Sequence, residues 1–513
     1  MSLAIVHTRA SLGVQAPGVS IEAHISNGLP ALTLVGLPET AVKEAKDRVR
    51  SAIINCNFTF PAKRITVNLA PADLPKEGGR YDLPIAIAIL VASEQLAGDK
   101  LNHYEFIGEL GLAGSLRGVT GAIPAALEAK HDGRMLVAPE DNQREMALLE
   151  KGTALVANHL LQVCSFLQDQ ESLVVVETSP VDEDETESGD IADIIGQEQS
   201  KRALEIAAAG GHNLLLIGPP GTGKTMLASR LPSLLPPLTN QEVLETAAIT
   251  SLVYSTDSDM SFSRRRPFRA PHHSSSMSAL VGGGTLPRPG EISLAHNGVL
   301  FLDELPEFER RVLDALRQPM ESGEITISRA RAKVCFPAKM QLIAAMNPSP
   351  TGHYQGRHNR TPPQQVLRYL GRLSGPFLDR FDLSIEVPLL PPGLLSQQHD
   401  ISKKRSKEYS RQIRDRVIAA RDIQLNRAGK LNAHLSSREV EEYCELKVAD
   451  ALFLEEVLQK LGLSVRAWHR ILKVARTLAD LNDQTMIERA QLAEALSYRS
   501  MDRLLLALHK NLA

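Results

Sequence analysis

The stretch NLLLIGPPGTGKT, residues 213–225, constrains the fold more than any other part of the chain. An apolar run typical of a buried strand leads into a glycine-rich loop, and a helical pattern follows it. The loop matches G-x-x-x-x-G-K-[ST], in which backbone N–H groups surround phosphate oxygens, so ATP is the expected ligand and Mg²⁺ its companion. Lys224 is expected to reach the β- and γ-phosphates, and the Thr225 hydroxyl to bind Mg²⁺. The expected nucleotide-binding residues are Gly218, Pro219, Pro220, Gly221, Thr222, Gly223, Lys224 and Thr225.

Two further strand ends carry polar side chains that would complete such a site. In GVLFLDELPEF, an apolar run precedes Asp303, which is expected to hold Mg²⁺, and Glu304, which is expected to polarise the attacking water. A solvated helix start is the alternative for adjacent carboxylates, and the buried strand before them favours the catalytic interpretation. Asn347 ends the apolar run QLIAAM and is expected to align water and γ-phosphate, although an Asn before Pro is commonly a turn residue.

Length, charge and cysteine content limit the classes of protein to which this chain can belong. A chain of 513 residues is too long for one hydrophobic core, so several domains are expected. The formal net charge of −3 excludes a uniformly basic nucleic-acid binder and leaves only local basic patches. The 4 cysteines are scattered without a CxxC pair, and the apolar run LPIAIAILVA is too short to cross a bilayer. We therefore expect a soluble cytoplasmic protein without a membrane partner.

Shifts in composition divide the chain into successive predicted segments. Residues 1–168 alternate strand and helix signals, as in an α+β domain. Residues 169–190 include VDEDETESGD, which is acidic and has too little apolar surface to order itself, so a linker is expected there. Residues 191–392 contain the buried strands of an α/β core, and residues 393–513 follow a proline-rich hinge and are predicted to be helical. The predicted fold class is therefore multidomain α/β.

The motifs GPPGTGKT, FLDE, GPFLDRFDL and LSVRAWHRILKVARTLADL occur in this order, with Asn347 after the second, and the set resembles magnesium-chelatase-like AAA+ ATPases. The resemblance implies an AAA+ P-loop core with a C-terminal helical lid, assembled as a homo-hexamer. It also implies that Arg380 is a finger reaching the neighbouring subunit's ATP and that Arg466 is the second sensor. From spacing alone, a surface or helix-capping role would be the simpler interpretation of either arginine.

With GLPETAVKEAKDRVRSAI, RITVNLAPADLPKEGGRYDLPIA and RPFRAPHHSSSMSALVGGG included, essentially the whole chain resembles the ComM (YifB) family. That resemblance implies an ATP-driven helicase that promotes branch migration while transforming DNA is integrated. Single-stranded and branched DNA, and recombination proteins, are the implied partners. A chelatase-type motor that remodels a protein partner, and an ATP-dependent protease, are the alternatives.

Residues 1–168 also resemble the S5-like peptidase domain of Lon proteases. Aligned with the Lon pattern, EGGRYD places Arg80 at the position of the serine nucleophile, and GVTGAIPAAL places Ile123 at the position of the lysine. Neither side chain can act as nucleophile or base, so no peptidase activity is expected. We expect instead a platform for ring formation in which Arg80 contacts DNA phosphate.

Two basic segments are candidate DNA contacts. GEITISRARAKVCFP predicts a β-hairpin with a basic tip, whose like charges around a ring would be stabilised by phosphate passing between them. SRRRPFRAPHH is a second basic stretch, in which Phe268 is expected to stack on a base. A solvated turn is the alternative for the first, and a flexible or intersubunit loop for the second. The candidate residues are Arg329, Arg331 and Lys333 in the hairpin, and Arg264, Arg265, Arg266 and Arg269 in the second stretch.

The segment NPSPTGHYQGRHN departs from the family pattern. Many relatives have paired cysteines where this chain has Ser349 and Thr351. Hydroxyl groups are poor zinc ligands, and His353 and His358 without thiolates make a weak site, so no zinc is expected.

Overall fold

The computed structural model describes residues 2–36, 40–179, 189–254, 262–284, 287–329, 333–352, 361–391, 409–462 and 465–510. We refer to residues 2–179 as the N-terminal unit, to residues 189–391 as the P-loop unit and to residues 409–510 as the helical unit.

The N-terminal unit is built on a mixed β-sheet. Its strands are β1 (Ser2–Arg9), β2 (Gly18–Ser26), β3 (Ala31–Val35), β4 (Arg64–Ala70), β5 (Tyr104–Phe106), β6 (Glu109–Leu110), β7 (Leu116–Arg117), β8 (Met135–Pro139), β9 (Ala154–Ala157) and β10 (Val174–Val175). The sheet order is β10-β9-β8-β5-β1-β2-β4-β3, and β6 pairs with β7 separately. Apolar and polar residues alternate along these strands, so one face of the sheet is buried. In β4, for example, Ile65, Val67 and Leu69 are all buried on one face.

Helices pack on this sheet. They are α1 (Thr40–Asn55), α2 (Asp82–Ala92), α3 (Ala122–His131), α4 (Gln143–Met146) and α5 (Leu160–Leu167). The sequence of α2, DLPIAIAILVA, is apolar on every side, and the helix is accordingly buried from Asp82 to Leu90. Its one charge, on Asp82, accepts a hydrogen bond from Arg48 Nε at 2.7 Å.

The sheet extends into the segment predicted as a linker. β10 pairs with β9, and the flanking Leu173 and Val176 are buried. Ser179 N donates to Ala147 O at 2.8 Å, so the chain remains attached to the N-terminal unit up to this point. The predicted linker of residues 169–190 therefore begins too early, because strand pairing at the sheet edge orders residues whose composition is unfavourable. Residues 180–188 lie outside the described ranges.

The P-loop unit contains a parallel sheet, which confirms the predicted α/β core. The strands are β11 (Leu214–Ile217), β12 (Phe268–Arg269), β13 (Gly282–Gly283), β14 (Arg288–Pro289), β15 (Val299–Leu302), β16 (Glu324–Ser328), β17 (Lys333–Pro337), β18 (Gln341–Met346) and β19 (Leu383–Glu386). The parallel sheet has the order β12-β15-β18-β11-β19, while β13–β14 and β16–β17 form antiparallel hairpins. Leu214 and Leu216 of β11 face one core, and Leu215 and Ile217 face the other.

The helical elements of the P-loop unit surround this sheet. They are α6 (Glu198–Gly210), α7 (Lys224–Leu234), α8 (Asn240–Thr250), α9 (Met277–Val281), α10 (Glu291–Leu294), α11 (Arg310–Ala315), α12 (Arg317–Ser322), α13 (Pro363–Leu370) and α14 (Gly375–Leu378). The helical unit contributes α15 (Ser410–Ala428), α16 (Ser437–Tyr443), α17 (Val448–Leu461), α18 (Val465–Leu481), α19 (Arg489–Ser497) and α20 (Ser500–Lys510).

The helical unit packs directly on the P-loop unit. Ile471, Leu472 and Leu478 of α18 are buried in the core cluster that includes residues of α6 and β11. The Asp190 carboxylate accepts from Ser410 N at 3.0 Å, which joins the start of the P-loop unit to α15. Among the described helices, none is both long enough and apolar enough to cross a membrane.

Candidate active site

The phosphate loop lies between the end of β11 and the start of α7. Gly221 and Gly223 have φ angles of +76° and +85°, left-handed values that favour glycine. Such turns direct successive backbone N–H groups toward one point. Because α7 begins at Lys224, its first amides add partial positive charge beside the loop. The loop is therefore shaped to receive an anion such as phosphate.

Lys224 lies across this loop. Its Nζ donates to the carbonyl oxygens of Gly218 and Pro219 at 2.8 Å each. Burial lowers the pKa of Lys224, and the negative charges of Asp303 and Glu304 partly oppose that effect. Carbonyl groups thus hold the ammonium at the position where phosphate oxygens would replace them.

Asn347 also reaches the phosphate loop. It follows β18, which pairs in parallel with β11, so both strands deliver their next residues to the same edge of the sheet. The Lys224 ammonium donates to Asn347 Oδ1 at 3.2 Å. The structure therefore brings the polar strand tip beside the predicted phosphate lysine.

Thr225 and Asp303 supply a pair of oxygen ligands that fits Mg²⁺. Thr225 Oγ1 donates to Asp303 Oδ2 at 2.6 Å, and Asp303 Oδ1 accepts from Glu304 N at 2.9 Å. Mg²⁺ prefers oxygen ligands from one or two side chains together with phosphate oxygens and water. These residues would hold the metal, which would offset the negative charge of bound phosphates.

Glu304 is held by a residue that sequence reasoning did not assign to the site. Its backbone is left-handed, with φ of +52°, and its carboxylate is 56% exposed. His273 Nδ1 lies 3.1 Å from Glu304 Oε2, and the His273 ring meets the edge of Phe308. His273 follows β12, the sheet neighbour of β15, so strand order creates the contact. The pair of histidines that ends the basic stretch SRRRPFRAPHH is the signal in the sequence that could have identified it.

Arg380 and Arg466 lie together at the opposite edge of the sheet from the phosphate loop. β11 and β19 are parallel, with Leu214 opposite Leu383. The phosphate loop follows the carboxyl end of β11, whereas Arg380 precedes the amino end of β19. Arg466 Nη1 is 3.9 Å from the carboxylate of Asp379, the neighbour of Arg380. Among the described residues, neither arginine contacts the phosphate loop of its own chain.

Positive charges crowd Arg380. It forms an ion pair with Glu321, and its Nε is buried without a hydrogen-bond partner. Burial lowers the pKa of Arg380, and the charges of Arg317, Arg466 and Arg470 lower it further. An anion from outside the subunit would relieve this repulsion.

The basic hairpin forms as predicted from antiparallel β16 and β17. Arg329 and Lys333 are exposed at its end, while Arg331 lies outside the described residues. The Arg329 side chain packs against the β13–β14 hairpin. A Cβ added to Gly283 of that hairpin would lie only 3.1 Å from Arg329 Nη2. Arg288 is exposed on that neighbouring hairpin and adds a positive charge that sequence reasoning missed.

Two arginines of the second basic stretch are neutralised inside the chain, which corrects the expectation that they contact DNA. Arg266 donates to both carboxylate oxygens of Glu242, at 3.1 and 3.2 Å. Arg269 donates to both oxygens of Glu291, at 2.6 and 2.7 Å. Bidentate pairs of this kind fix geometry, so these arginines fasten β12 to its surroundings.

The rest of this stretch divides between structural and exposed side chains. Arg264 Nη2 donates to Asn240 Oδ1 at 2.8 Å, whereas Arg265 is exposed and remains a candidate phosphate contact. Phe268 stacks on Phe301 with ring centroids 5.9 Å apart and packs against the core. The expectation that Phe268 stacks on a base is therefore wrong.

The turn that resembles a peptidase site is closed. Arg80 is only 4% exposed, and its Nε and Nη2 are buried without hydrogen-bond partners. Burial lowers the pKa of Arg80 and raises that of the nearby Glu145 to about 7. Ile123 is fully buried. The expected contact between Arg80 and DNA phosphate is wrong, because the side chain does not reach the surface.

The hydroxyl groups that follow Asn347 bond to one another. Ser349 Oγ lies 3.3 Å from Thr351 Oγ1, which lies 2.6 Å from Thr361 Oγ1. His353 and His358 lie outside the described residues.

Comparison with known families and proteins agrees with this geometry. The family model described as "Magnesium chelatase, subunit ChlI" matches residues 190–394. "Subunit ChlI of Mg-chelatase" matches residues 21–142, and "Magnesium chelatase, subunit ChlI C-terminal" matches residues 407–499.

Two of the similar proteins match along essentially the whole length. The chain is 62% identical to the "Uncharacterized protein YifB" of Salmonella typhimurium over 100% of both chains. It is also 62% identical to the "Competence protein ComM" of Haemophilus influenzae, covering 98% of this chain and 99% of the relative. The "Magnesium-chelatase 38 kDa subunit" of Cereibacter sphaeroides is 25% identical, over 44% of this chain and 70% of its own.

Replacing His273 with alanine should raise the basal kcat for ATP hydrolysis about fivefold, because its contact with Glu304, worth up to about 1 kcal/mol at an exposed site, draws the Glu304 carboxylate aside. The affinity for ATP should change little, since His273 does not contact the phosphate loop. Steady-state kinetics and equilibrium nucleotide binding would separate the two quantities. His272→Ala is the matched control, because His272 bonds to Ser274 instead. An unchanged kcat in His273→Ala would contradict the restraint on Glu304.

Proposed function

Because the chain belongs to the ComM (YifB) family of magnesium-chelatase-like proteins, we propose that it is an ATP-driven motor that moves along DNA. In this proposal, hexameric rings in the cytoplasm hydrolyse ATP with Mg²⁺ and drive branch migration of single-stranded and branched DNA during homologous recombination. The relative named "Competence protein ComM" supports a role in the integration of transforming DNA. Recombination proteins that form or resolve such junctions would be its partners.

The position of Arg380 carries this proposal. Lys224 and Asp303 gather at the carboxyl ends of the parallel strands, whereas Arg380 and Arg466 lie at the amino end of β19. The paired part of β11 and β19 alone spans about 10 Å, at about 3.3 Å per residue. An arginine side chain cannot bridge that gap and the adjoining loops, so both arginines would act on the nucleotide of a neighbouring copy. A head-to-tail contact of this kind generates a ring when its rotation closes.

The crowding around Arg380 supports the same assignment. The phosphates of a neighbour's ATP would offset its repulsion from Arg317, Arg466 and Arg470 and give its buried Nε a partner. Negative charge on the γ-phosphoryl oxygens is stabilised by such an arginine, and a finger supplied in trans is worth about 10³–10⁵ in rate. Glu304 of the first subunit would orient the attacking water.

The adjoining hairpins supply the contact to DNA in this proposal. Arg329, Lys333 and Arg288 are exposed on β16–β17 and β13–β14, which lie against each other. Contacts between such residues and phosphate give affinity without sequence reading, as a motor that acts on any homologous DNA requires. A motor that remodels a protein partner would not need them.

Mixing inactive variants should show whether Arg380 and Arg466 act on the nucleotide of a neighbouring subunit. Lys224→Ala and Arg380→Ala subunits are each expected to be inactive alone and to recover hydrolysis when mixed, because random assembly leaves about one intact interface in four. The same recovery is expected for Lys224→Ala mixed with Arg466→Ala.

Arg380→Ala mixed with Arg466→Ala is the matched control and should stay inactive, since both changes lie on one face of the subunit. Recovery in this control, or none in the first two mixtures, would show that the site is not shared as proposed. ATP hydrolysis at constant total protein is the measurement.

Removing the hairpin charges should weaken DNA binding and flatten its salt dependence. Each phosphate of a single strand that the protein no longer neutralises lowers the slope of log affinity against log salt by about 0.7, so Arg329→Ala/Lys333→Ala should lower it by about 1.4. Fluorescence anisotropy between low and moderate salt measures this slope. Arg329→Lys/Lys333→Arg keeps both charges and should keep the slope. An unchanged slope in the alanine variant would remove the hairpin from the DNA path.

A further inference from the structure

The N-terminal unit touches the basic hairpin directly. A short turn after β1 carries Leu12 and Val14, which pack against the core cluster that contains Val334 and Phe336 of β17. Between them, Gly13 has a φ of +62°, and a Cβ built there would lie 2.5 Å from Val334 Cγ1. Glycine alone lets the turn approach β17 this closely.

A second contact joins the same unit to α8. Gly121 N donates to Ser251 O, directly after α8, at 2.7 Å. Ala247 and Ala248 of α8 join the apolar cluster that contains Ile123. Ile123 stands where the peptidase resemblance would place the catalytic lysine. The P-loop unit therefore covers the face on which a peptidase would bind its substrate.

These two contacts restrict the hairpin. Protein interiors are packed as densely as organic crystals, so an atom added at such a contact displaces its neighbour. The turn at Gly13 contacts β17 near its middle, and α8 fixes the unit that carries this turn. The positions of Arg329 and Lys333 therefore depend on the N-terminal unit.

We propose that the N-terminal unit is a positioning element for hairpin β16–β17, which it holds with Arg329 and Lys333 directed toward DNA. The consequence for DNA rests on the proposed function, whereas the mechanical hold on the hairpin does not. The N-terminal unit would thus influence the affinity of the motor for DNA, although it lies outside the nucleotide site.

The test compares Gly13→Ala with Gly133→Ala in the full-length protein. Gly133 has a φ of +74° and no atom within 4 Å of an added Cβ, so the two changes share the backbone strain and only the first meets β17. Hydrogen exchange of the Val334–Phe336 amides should rise in Gly13→Ala and stay unchanged in Gly133→Ala. Affinity for a forked DNA should fall about tenfold in Gly13→Ala alone, as one overpacked methyl group at a contact predicts.

Adding Val334→Ala to Gly13→Ala removes the atom that is displaced and should restore both readouts. If Gly13→Ala does not fold, Leu12→Ala loosens the same contact and should raise the exchange of the same amides. Unchanged exchange in the folded variant would overturn the hold on the hairpin. Raised exchange with unchanged DNA affinity would overturn the positioning role. Arg329→Ala/Lys333→Ala, measured in parallel, shows separately whether the hairpin binds DNA at all.

Discussion

The parallel direction of the strands governs the rest of this structure. Parallel pairing of β11, β15 and β18 gathers Lys224, Asp303 and Asn347 at one edge, where polar side chains meet the phosphate loop. The same pairing places the start of β19, and with it Arg380, at the other edge. A single chain thus carries the phosphate site and the arginine on opposite sides. Under the proposed function, a complete site therefore needs a neighbouring copy, and the proposed ring and the proposed role of Arg380 as a finger both follow from that need.

The N-terminal unit gains a role from what surrounds it. Its sequence around Arg80 resembles the active-site turn of a peptidase, but Arg80 is buried and Ile123 is apolar. Residues of α8 pack against Ile123. The turn at Gly13 meets the hairpin that carries the basic residues. Under the proposed positioning role, a unit with Arg80 and Ile123 at the two peptidase positions would serve the motor by fixing hairpin β16–β17. The close contact at Gly13 is the observation that supports this role.

Local patterns predicted much of this structure. Alternation in RITVNLA and the apolar run VLFL predicted strands, and the phosphate-loop motif predicted the position of Lys224. Contacts between distant segments were not predictable. From the sequence, Arg266 and Arg269 were interpreted as unpaired charges. Their partners, Glu242 and Glu291, lie 24 and 22 residues away in the sequence. The burial of Arg80, the pairing of His273 with Glu304 and the ordered start of the predicted linker depend in the same way on packing between elements.

Movement of a four-way DNA junction by the purified full-length protein is the most direct test of the account. Branch migration should occur with ATP and Mg²⁺ and should be absent without ATP or with Lys224→Ala. Glu304→Gln should bind ATP and the junction without moving it, because binding is retained while the water is not activated. A protein that hydrolyses ATP but leaves every junction in place, or that moves it equally well without ATP, would contradict the account.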